Sequence, residues 1–515
     1  MVMVRTTTSS KLSLSLKQNF SVGLLASVWS AILGFAMVPI YLKYLGIESY
    51  GLIGFFTTTL AILSLLDMGL APTINREVAR FTALGESHKA AKLLHTLSVV
   101  YWSMAFFIII MIVVLAPYIA EYWLKSKQFT SQTITYVIML MGLVAASRWP
   151  VGLYQGALMG AQRQAVSSYV NIIMSTFSSL GTFMVLALLS PTIEAFFIFQ
   201  ACVGIMYAIA IRWITWRIIG RLSSIKFDIT ELKRVWRFSA GMGAVSVISL
   251  ILTQLDKVLL SNMVGLVEFG HYALATVVVS SLAILFMPVF NVIYPRFSAL
   301  VATGELDKLS QAYRLVTRLL ATVLFPIAML LVSCSQELVL IWTGNAEIAK
   351  NVAPIISLLA IASALHGVIY IAYALQLAFG LARLVLTISI ILLTILFPLI
   401  IIFVLKYGVL GGALALLLLH MLSLFFGTWL THRSVLKGLW GRWLFQDVGI
   451  PLAISAVLGV ASYLITKSMN NAVYLKLTIG LISALVAVSA SVLLTPQFRM
   501  AVLNTLKRDK VIKPI

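Results

Sequence analysis

Hydrophobic and polar positions alternate along this chain in long blocks. Fourteen apolar runs, each long enough for a helix that crosses the hydrocarbon core of a membrane, are separated by short polar segments. The bilayer core offers no water to the backbone, so we predict a helix for each run, whereas barrel strands would alternate residue by residue. The predicted spans are 20–42, 51–72, 95–117, 132–152, 164–189, 195–217, 239–265, 270–294, 313–334, 352–373, 384–405, 411–431, 449–466 and 473–494.

Basic residues give these spans an orientation. With the N-terminus in the cytoplasm, 29 of the 37 Lys and Arg residues lie in or beside the inner segments. Such an excess in short loops is the usual signal of the cytoplasmic side, so both termini are predicted to be cytoplasmic. The richest segment, from Arg212 to Arg237, lies in the middle of the chain, as a linker between two halves would.

Composition supports a membrane protein and excludes several other classes. Of the 515 residues, 61% are hydrophobic and 10% are charged, whereas soluble proteins are about 25% charged. A soluble enzyme, a disordered protein and a fibrous protein are therefore excluded. The net charge of +21 would suggest nucleic acid for a soluble chain. In this chain the predicted membrane topology accounts for the positive charge. We therefore expect membrane lipids and no nucleic acid as partners.

The two cysteines, Cys202 and Cys334, both lie in apolar runs. They form neither a disulfide framework nor a metal-binding pattern. No cofactor or metal is expected.

The two halves of the chain are similar in sequence at a shift of about 219 residues. Each half contains six predicted helices, and because six is even the repeats are predicted to run parallel in the membrane. The matched positions keep their order over some 200 residues. They are Phe20-Ser21 with Phe238-Ser239, Gly46 with Gly265, Tyr50-Gly51 with Phe269-Gly270, RFTAL from Arg80 with RFSAL from Arg296, Gly85-Glu86 and Lys89 with Gly304-Glu305 and Lys308, and Gly160 and Arg163 with Gly380 and Arg383.

The predicted fold is an all-α polytopic membrane protein with two six-helix lobes and two additional C-terminal helices. Its predicted parts are a cytoplasmic N-terminus at 1–19, an N-lobe at 20–217, a basic linker at 218–238, a C-lobe at 239–431, helices thirteen and fourteen at 432–494, and a basic cytoplasmic tail at 495–515.

Polar residues line one face of the first helix of each half. Gly23, Ser27, Ser30 and Gly34 share a face of helix 1, near Trp29, and the shift relates the last three to Ser246, Ser249 and Thr253 on helix 7. Small residues also allow helices to pack closely, so both a cavity and a packing role are open. Helix 7 adds Asp256 and Lys257, whose side chains should point about 100° apart and not neutralise each other fully.

Glycines and amphipathic segments predict further packing. Gly152, Gly156 and Gly160 recur every fourth residue at the end of helix 4, the pattern of a close helix approach. The inner segments 74–94 and 296–314 are amphipathic and basic, and we expect them at the membrane surface.

Two stretches resemble a known family. The sequence PIYLKYLGIESYGLIGFFTTTLAILSLLDMGLAPTINREVARF from Pro39 to Phe81 is similar to the start of Wzx-type polysaccharide (O-antigen) flippases, of the multidrug/oligosaccharidyl-lipid/polysaccharide (MOP) exporter superfamily. TQLDKVLLSNMVGLVEFGHYAL from Thr253 is similar to the second-lobe counterpart. The resemblance implies two lobes around a central cavity, alternating access, and a location in the bacterial inner membrane. It also implies an undecaprenyl-pyrophosphate-linked oligosaccharide as cargo, and a polysaccharide polymerase and chain-length regulator as partners.

A pyrophosphate cargo requires cationic residues, which attract phosphate as point charges or, for Arg, as a bidentate fork. The candidates are Lys257 within helix 7, Arg76 and Arg296 at the inner ends of helices 2 and 8, and Arg148 at the inner end of helix 4. The three arginines are equally explained as inner-loop anchors that set topology. Trp29 could stack on a sugar ring or pack in the core.

Coupling to a proton or sodium gradient requires an exchangeable carboxylate, and Asp67 and Asp256 lie within spans. Either could instead be a structural partner of a nearby basic residue. His271, His366 and His420 also lie in or beside spans, where a packing role is the more common one.

Two other functions compete with the flippase. A multidrug or organic-cation antiporter of the same fold would need an acidic or aromatic cavity, which Lys257 disfavours. A membrane polymerase or ligase would need a large catalytic outer loop, but the outer loops near 118–131 and 335–351 are short. No nucleotide-binding motif is present, which disfavours an ATP-driven pump.

Overall fold

A computed structural model of the chain describes residues 4–67, 69–220, 227–467, 469 and 472–494, with side chains at all of these except 4–18, 20 and 234–246. These residues form helices and contain no strand. The helices are α1 Val4–Leu63, α2 Leu70–Ala83, α3 Ser87–Tyr118, α4 Ser131–Gly160, α5 Gln164–Met184, α6 Ile193–Ile219, α7 Ile229–Met263, α8 Leu266–Ser280, α9 Ala283–Ala302, α10 Leu306–Thr343, α11 Ala346–Ala378, α12 Ala382–Tyr407, α13 Val409–Leu422, α14 Thr428–Val435, α15 Trp440–Arg442, α16 Ile450–Lys467 and α17 Val473–Leu493.

The helices match the predicted spans, and the described part of the chain has twelve helices long and apolar enough to cross a membrane. One of them, Ser21–Asp67, covers both the first and the second predicted span. The seventh predicted span corresponds to α7, and the eighth to α8 and α9. An all-α, multi-pass membrane protein is therefore confirmed. The predicted cytoplasmic tail at 495–515 lies outside the described residues, as do residues 221–226 of the predicted linker.

The first two spans are joined without a loop. Helix α1 continues through the predicted gap and departs from helical geometry only at Gly46, where φ is 80°. Glycine adopts this left-handed region without the steric penalty of a Cβ atom. A single glycine therefore replaces the expected turn, and the helix ends at Leu63 rather than near residue 72.

The described helices pack into two compact units, residues 1–270 and 271–515. In the first unit, α4 packs on α2, α3 and α6, while α1 packs on α5 and α7 also contacts α1, α2 and α3. The unit has one buried cluster around Leu52, Val137 and Phe197, and another around Ile74 and Tyr154. The lobe boundaries predicted above remain predictions.

Close approach of α2 and α4 depends on glycine. A methyl group on Gly156 would lie 2.8 Å from the Ala71 carbonyl oxygen, and one on Gly160 would overlap the Asn75 carbonyl oxygen. The predicted packing role is correct for these two glycines. It is wrong for Gly152, where nothing lies within 4 Å, because Gly156 already meets Ala71 at the start of α2 and Gly152 lies one turn beyond it.

Helix α2 is the amphipathic inner segment that the sequence suggested, although it begins at Leu70 and ends at Ala83. Its apolar side buries Leu70, Ile74, Val78 and Phe81. Its other side carries exposed Arg76 and Arg80. The segment therefore covers one end of a buried core while presenting positive charge outward.

In the second unit, α11 packs on α9, α10 and α13, and α10 also carries both α16 and α17. Helices α16 and α17 are the two additional C-terminal helices. They are attached through small residues: Gly459 lies against Met329, and Gly480 lies against Cys334.

The internal repeat is visible in the structure as the same type of turn, which follows α2 in one half and α9 in the other. After α2, Gly85 has φ 71°, the Glu86 amide donates to the Phe81 carbonyl, and Lys89 pairs with Glu86 at 2.8 Å. After α9, Gly304 has φ 72°, the Glu305 amide donates to the Leu300 carbonyl, and Lys308 pairs with Glu305. The hydrogen bond from Lys308 lowers the pKa of Glu305, so this second pair stays ionised at neutral pH.

A second repeated turn corrects one of the sequence matches. The left-handed residue after α4 is Gln162, with φ 57°, and the one after α11 is Gly380, with φ 67°. The next amide donates backwards in both turns, from Arg163 to Leu158 and from Leu381 to Gln376. The match of Gly160 and Arg163 with Gly380 and Arg383 is therefore wrong by two residues, because Gly160 serves the packing on α2.

Candidate functional site

The polar face of α7 is partly exposed and carries a charged pair. Ser249 and Thr253 are exposed. One turn further, Asp256 is 1% exposed and the Lys257 side chain is 20% exposed. Ser246 belongs to the same face, but its side chain lies outside the described residues.

Asp256 and Lys257 meet although they are consecutive. The Lys257 Nζ lies 3.5 Å from Asp256 Oδ1 and donates to the Thr253 carbonyl oxygen at 3.1 Å. Although the two side chains leave the helix in different directions, the long lysine side chain folds back along the helix and brings the charges into contact; whether they neutralise each other only in part, as expected, stays a prediction. The pair still leaves the ammonium accessible, since Lys257 is the exposed member.

The residues of the polar face of α1 differ in their surroundings: some pack against a neighbouring helix, and others are exposed. Gly23 lies against Gln164 of α5, so the beginning of the stripe is a helix contact. Ser27 is exposed and donates to the Gly23 carbonyl oxygen at 3.0 Å. The Ser30 hydroxyl is buried without a hydrogen-bond partner among the described residues, and Gly34 has open space around it.

Trp29 is held in place by α5. Its indole nitrogen donates to Thr176 Oγ1 at 2.8 Å, while more than a third of the side chain is exposed. A tryptophan fixed at its polar edge and open over its ring is suited to stacking. Trp29 therefore remains a candidate contact for a ring-shaped ligand.

Asp67 is tied to two helices rather than free in a span. It ends a 3₁₀ turn at Ser64–Asp67, and its Oδ2 accepts from the Ala71 amide at 3.3 Å at the start of α2. Its Oδ1 accepts a short hydrogen bond from the Tyr101 hydroxyl on α3. Asp67 therefore links the end of the 3₁₀ turn to both α2 and α3.

The three candidate arginines have different surroundings. Arg76 is exposed and pairs with Glu77 at 2.8 Å, while Arg296 is exposed on α9. Arg148 points into the first unit, where its Nη2 donates to Gln200 Oε1 at 2.6 Å. Gln200 in turn donates to Thr182 at 3.1 Å, so Arg148 joins α4, α5 and α6 and the packing interpretation is favoured for it.

A group that the sequence did not indicate closes the end predicted to face outward. The buried Glu48 Oε1 accepts from Ser126 Oγ at 2.7 Å and from the Lys127 amide at 2.8 Å. We call Glu48, residues 122–128 and residues 261–268 the outer clasp, all within the first unit.

Backbone groups take part in most of the other contacts of the outer clasp. The Leu266 amide donates to the Lys125 carbonyl oxygen at 2.9 Å, and the Trp123 indole donates to Ser261 Oγ at 2.9 Å. Beside it, Gly51 and Gly270 bring two helices into backbone contact: a methyl group on Gly51 would overlap the Leu266 carbonyl oxygen, and one on Gly270 would overlap the Ile47 carbonyl oxygen. The sequence matched these glycines as repeat equivalents but did not predict that they touch.

A second missed group joins the C-terminal helices to α10. The fully buried Asp447 accepts from Arg314 Nε at 2.7 Å and receives a short hydrogen bond from Arg318. The spacing of Arg314 and Arg318 places both on one helix face, which was the available signal. Nearby, Tyr313 stacks on Trp443 with ring centroids 6.0 Å apart.

Comparison with known proteins identifies the group to which these features belong. Residues 16–301 match the family model described as polysaccharide biosynthesis protein. No curated protein sequence matches the chain.

Solved structures share the fold at low sequence identity. The lipid II flippase MurJ in an inward closed conformation is 16% identical with a TM-score of 0.62, and the match covers 91% of this chain and 98% of that chain. An inward-facing multidrug resistance MATE family transporter of the MOP superfamily is 12% identical with a TM-score of 0.62, covering 81% and 97%. A mutant of the Vibrio cholerae MATE transporter VcmN is 13% identical with a TM-score of 0.57, covering 83% and 98%.

Proposed function

The chain belongs to the polysaccharide biosynthesis protein family, and we propose that it flips an undecaprenyl-pyrophosphate-linked oligosaccharide from the cytoplasmic to the outer leaflet. The observation that carries the proposal is the family match itself, which spans residues 16–301 and so includes both lead helices, α1 and α7. Transport rather than catalysis agrees with the fold, which is that of flippases and transporters. The cargo is an O-antigen unit or another surface polysaccharide repeat unit.

Lys257 supplies the charge for the pyrophosphate. Its ammonium is accessible next to the exposed hydroxyls of Ser249 and Thr253. A pyrophosphate carries more negative charge than Asp256 and can displace it from the lysine, while Asp256 keeps the ammonium oriented when no cargo is present. Arg76 and Arg296, both exposed, are the additional contacts that we propose for the head group.

Alternating access requires the outer clasp to open. The clasp combines hydrogen bonds, each contributing a net of only about 1 kcal/mol, with the buried side chains of Leu124 and Leu266. Opening it during a transport cycle would break both kinds of contact. Asp67 and Asp256 are the carboxylates that we propose for coupling to a proton or sodium gradient, because each contacts a neighbouring group, Tyr101 and Lys257 respectively, that ion binding would disturb.

An organic-cation antiporter of the same fold is the second candidate, since MATE transporters share this fold. The described acids argue against it. Asp67, Asp256, Glu337 and Asp447 already have a hydrogen-bond or ionic partner. An organic cation would have to displace the partner of whichever acid it bound, whereas an anionic head group would separate only Asp256 from Lys257.

Reconstitution into liposomes tests the proposal. Purified protein is expected to move undecaprenyl-pyrophosphate-linked oligosaccharides across the bilayer and to leave organic cations in place. Movement of cations without movement of any lipid-linked oligosaccharide would overturn the proposal. Lys257→Ala is expected to insert normally and lose flipping, Lys257→Arg to retain part of it, and Lys350→Ala, a matched exposed lysine at the start of α11, to behave as the unmodified chain.

The proposed setting is the bacterial inner membrane with both termini in the cytoplasm, beside a polysaccharide polymerase and a chain-length regulator. Reporter fusions at each terminus test the orientation: a reporter active only in the cytoplasm should be active at both ends. Activity of a periplasmic reporter at either end would contradict it.

A further inference from the structure

A half-buried aromatic patch lies on α9 and α11 within the second unit. Phe290 stacks nearly parallel on Tyr294, with centroids 5.9 Å apart, and on Tyr373, with centroids 6.0 Å apart. Its ring is 4.4 Å from that of Tyr370. At the far edge, Tyr370 meets His366 at 5.6 Å. We call Phe290, Tyr294, Tyr370 and Tyr373 the aromatic patch.

The hydroxyls of the patch are available for a ligand. Tyr294, Tyr370 and Tyr373 are each of intermediate exposure, and within the described part of the chain none of the three hydroxyls has a hydrogen-bond partner. The Tyr313 hydroxyl in the same unit also lacks a partner, but it is buried. The combination of partial exposure with three unpartnered hydroxyls, rather than the missing partners alone, indicates an accessible polar surface.

Tyr313 in the same unit shows the contrast. It is fully buried and stacked on Trp443, as expected for an aromatic residue that packs two helices together. The rings of the patch also stack, but all four residues are partly exposed. The two clusters thus differ in accessibility, not in residue type.

The chemistry of the patch fits a sugar ring. A pyranose presents C–H groups on its faces and hydroxyls around its edge, so it needs a flat apolar surface bordered by hydrogen-bonding groups. Ligand sites commonly combine aromatic walls with a few placed polar groups. Phe290 packs against the three tyrosine rings and holds them together, and the tyrosines offer both partly exposed ring area and hydroxyls.

The position of the patch also fits a sugar that is attached to a phosphate. Arg296 is exposed on α9 six positions after Phe290, about 9 Å along the helix axis and about 120° around it. Its long side chain would have to turn toward the patch to reach a phosphate joined to a sugar bound there. The predicted topology puts this end of α9 and the end of α11 on the cytoplasmic side, where the cargo is made.

We propose that the aromatic patch binds the sugar ring next to the pyrophosphate of the lipid-linked cargo, with Arg296 contacting the phosphate. This inference rests on the proposed function and adds the part of the cargo that the second unit recognises. It makes the patch a specificity-determining site, because the hydroxyl pattern of the first sugar must match the three tyrosine hydroxyls.

Binding to purified protein in detergent tests the inference. The probes are undecaprenyl pyrophosphate alone and the same carrier bearing one hexose or one N-acetylhexosamine. The unmodified protein is expected to bind at least one sugar-bearing probe more tightly than the bare carrier. Combined Tyr294→Phe, Tyr370→Phe and Tyr373→Phe substitutions keep the rings and remove the hydroxyls. We expect them to reduce that sugar-dependent gain, by about fivefold for each hydroxyl that the sugar uses, without changing affinity for the bare carrier.

Controls separate this inference from the proposed function. Tyr407→Phe, on exposed Tyr407 of α12, is expected to change nothing, and Arg296→Gln is expected to weaken all probes alike. If the unmodified protein binds the carrier but no sugar-bearing probe binds more tightly, or if the triple variant keeps the sugar-dependent gain, the inference is overturned and the flippase proposal stands. A patch that merely anchors the protein at the membrane interface would give this result. If neither the carrier nor any sugar-bearing probe binds, both are overturned.

Discussion

Replacing Asp447 by alanine tests how the two C-terminal helices are attached to α10. Asp447 is fully buried and is the shared acceptor of Arg314 and Arg318, which are 27% and 11% exposed as side chains. Removing the carboxylate leaves two guanidinium groups without their counter-charge. The expected consequence is partial release of α16 and α17 from α10.

The magnitude follows from burial. Breaking a buried ion pair by removing one partner costs about 3–5 kcal/mol. The partial exposure of Arg314 allows solvent to screen part of the loss, so we expect about 3 kcal/mol. For a local opening, that raises the population of the open form roughly a hundredfold.

The chain contains its own reporter of this opening. Cys334 on α10 is fully buried, and its Sγ lies 3.6 Å from the Lys476 carbonyl oxygen on α17. In a Cys202→Ser background, Cys334 is the single thiol of the chain. Its rate of reaction with a membrane-permeant maleimide should rise roughly a hundredfold in Asp447→Ala if opening limits the reaction.

A compensated variant tests the electrostatic reasoning directly. In this variant, apolar residues of similar volume replace Asp447, Arg314 and Arg318, so that the buried charges and their mutual attraction are removed together. Such a replacement often leaves the stability of a protein unchanged or raises it. This variant should restore slow labelling of Cys334. Unchanged labelling in Asp447→Ala, or fast labelling in the compensated variant, would refute the reasoning.

Three further changes have defined outcomes. Asp67→Asn should remove the dependence of flipping on the ion gradient in liposomes, and a dependence equal to that of the unmodified chain would exclude Asp67 from coupling. Gly51→Ala should lower the free energy of unfolding by about 1–3 kcal/mol, because the added methyl group overlaps a neighbouring carbonyl oxygen. Gly152→Ala should not lower it, because Gly152 has open space around it. Equal melting temperatures of the two variants would contradict the close contact at Gly51. Lys92 donates to Asp228 at 2.6 Å and thereby lowers the pKa of Asp228. The stability that this pair contributes is lost as pH falls below about 4, so pepsin cleavage near residue 228 should increase there. Lys92→Met should abolish that pH dependence.

The spans could be predicted because the bilayer imposes a length and a hydropathy on every crossing. The joint between the first two spans could not. Hydropathy falls between residues 43 and 50, which predicts a loop, yet the helix continues and only Gly46 departs from it. Short polar stretches do not distinguish a loop from a helix that continues past the membrane surface.

The candidate site, too, could be predicted from the sequence only in part. The sequence indicated that Lys257 and Asp256 matter, because charges within spans are rare, but the backward fold of the lysine onto its neighbour depends on rotamers and local space. Asp447 was not indicated at all, since its partners lie about 130 positions earlier in the chain. The aromatic patch likewise combines α9 and α11, and local periodicity carries no information about which distant helices meet.

The contact between Gly51 and Gly270 has a consequence for energetic coupling. Each glycine faces the backbone of the helix that carries the other, so a methyl group at either position separates the same two helices. Once the first methyl has moved them apart, the second meets less resistance. The destabilisation of Gly51→Ala with Gly270→Ala should therefore be clearly smaller than the sum of the two single effects, as expected for neighbours that share one contact. Two positions about 219 residues apart thus behave energetically as one.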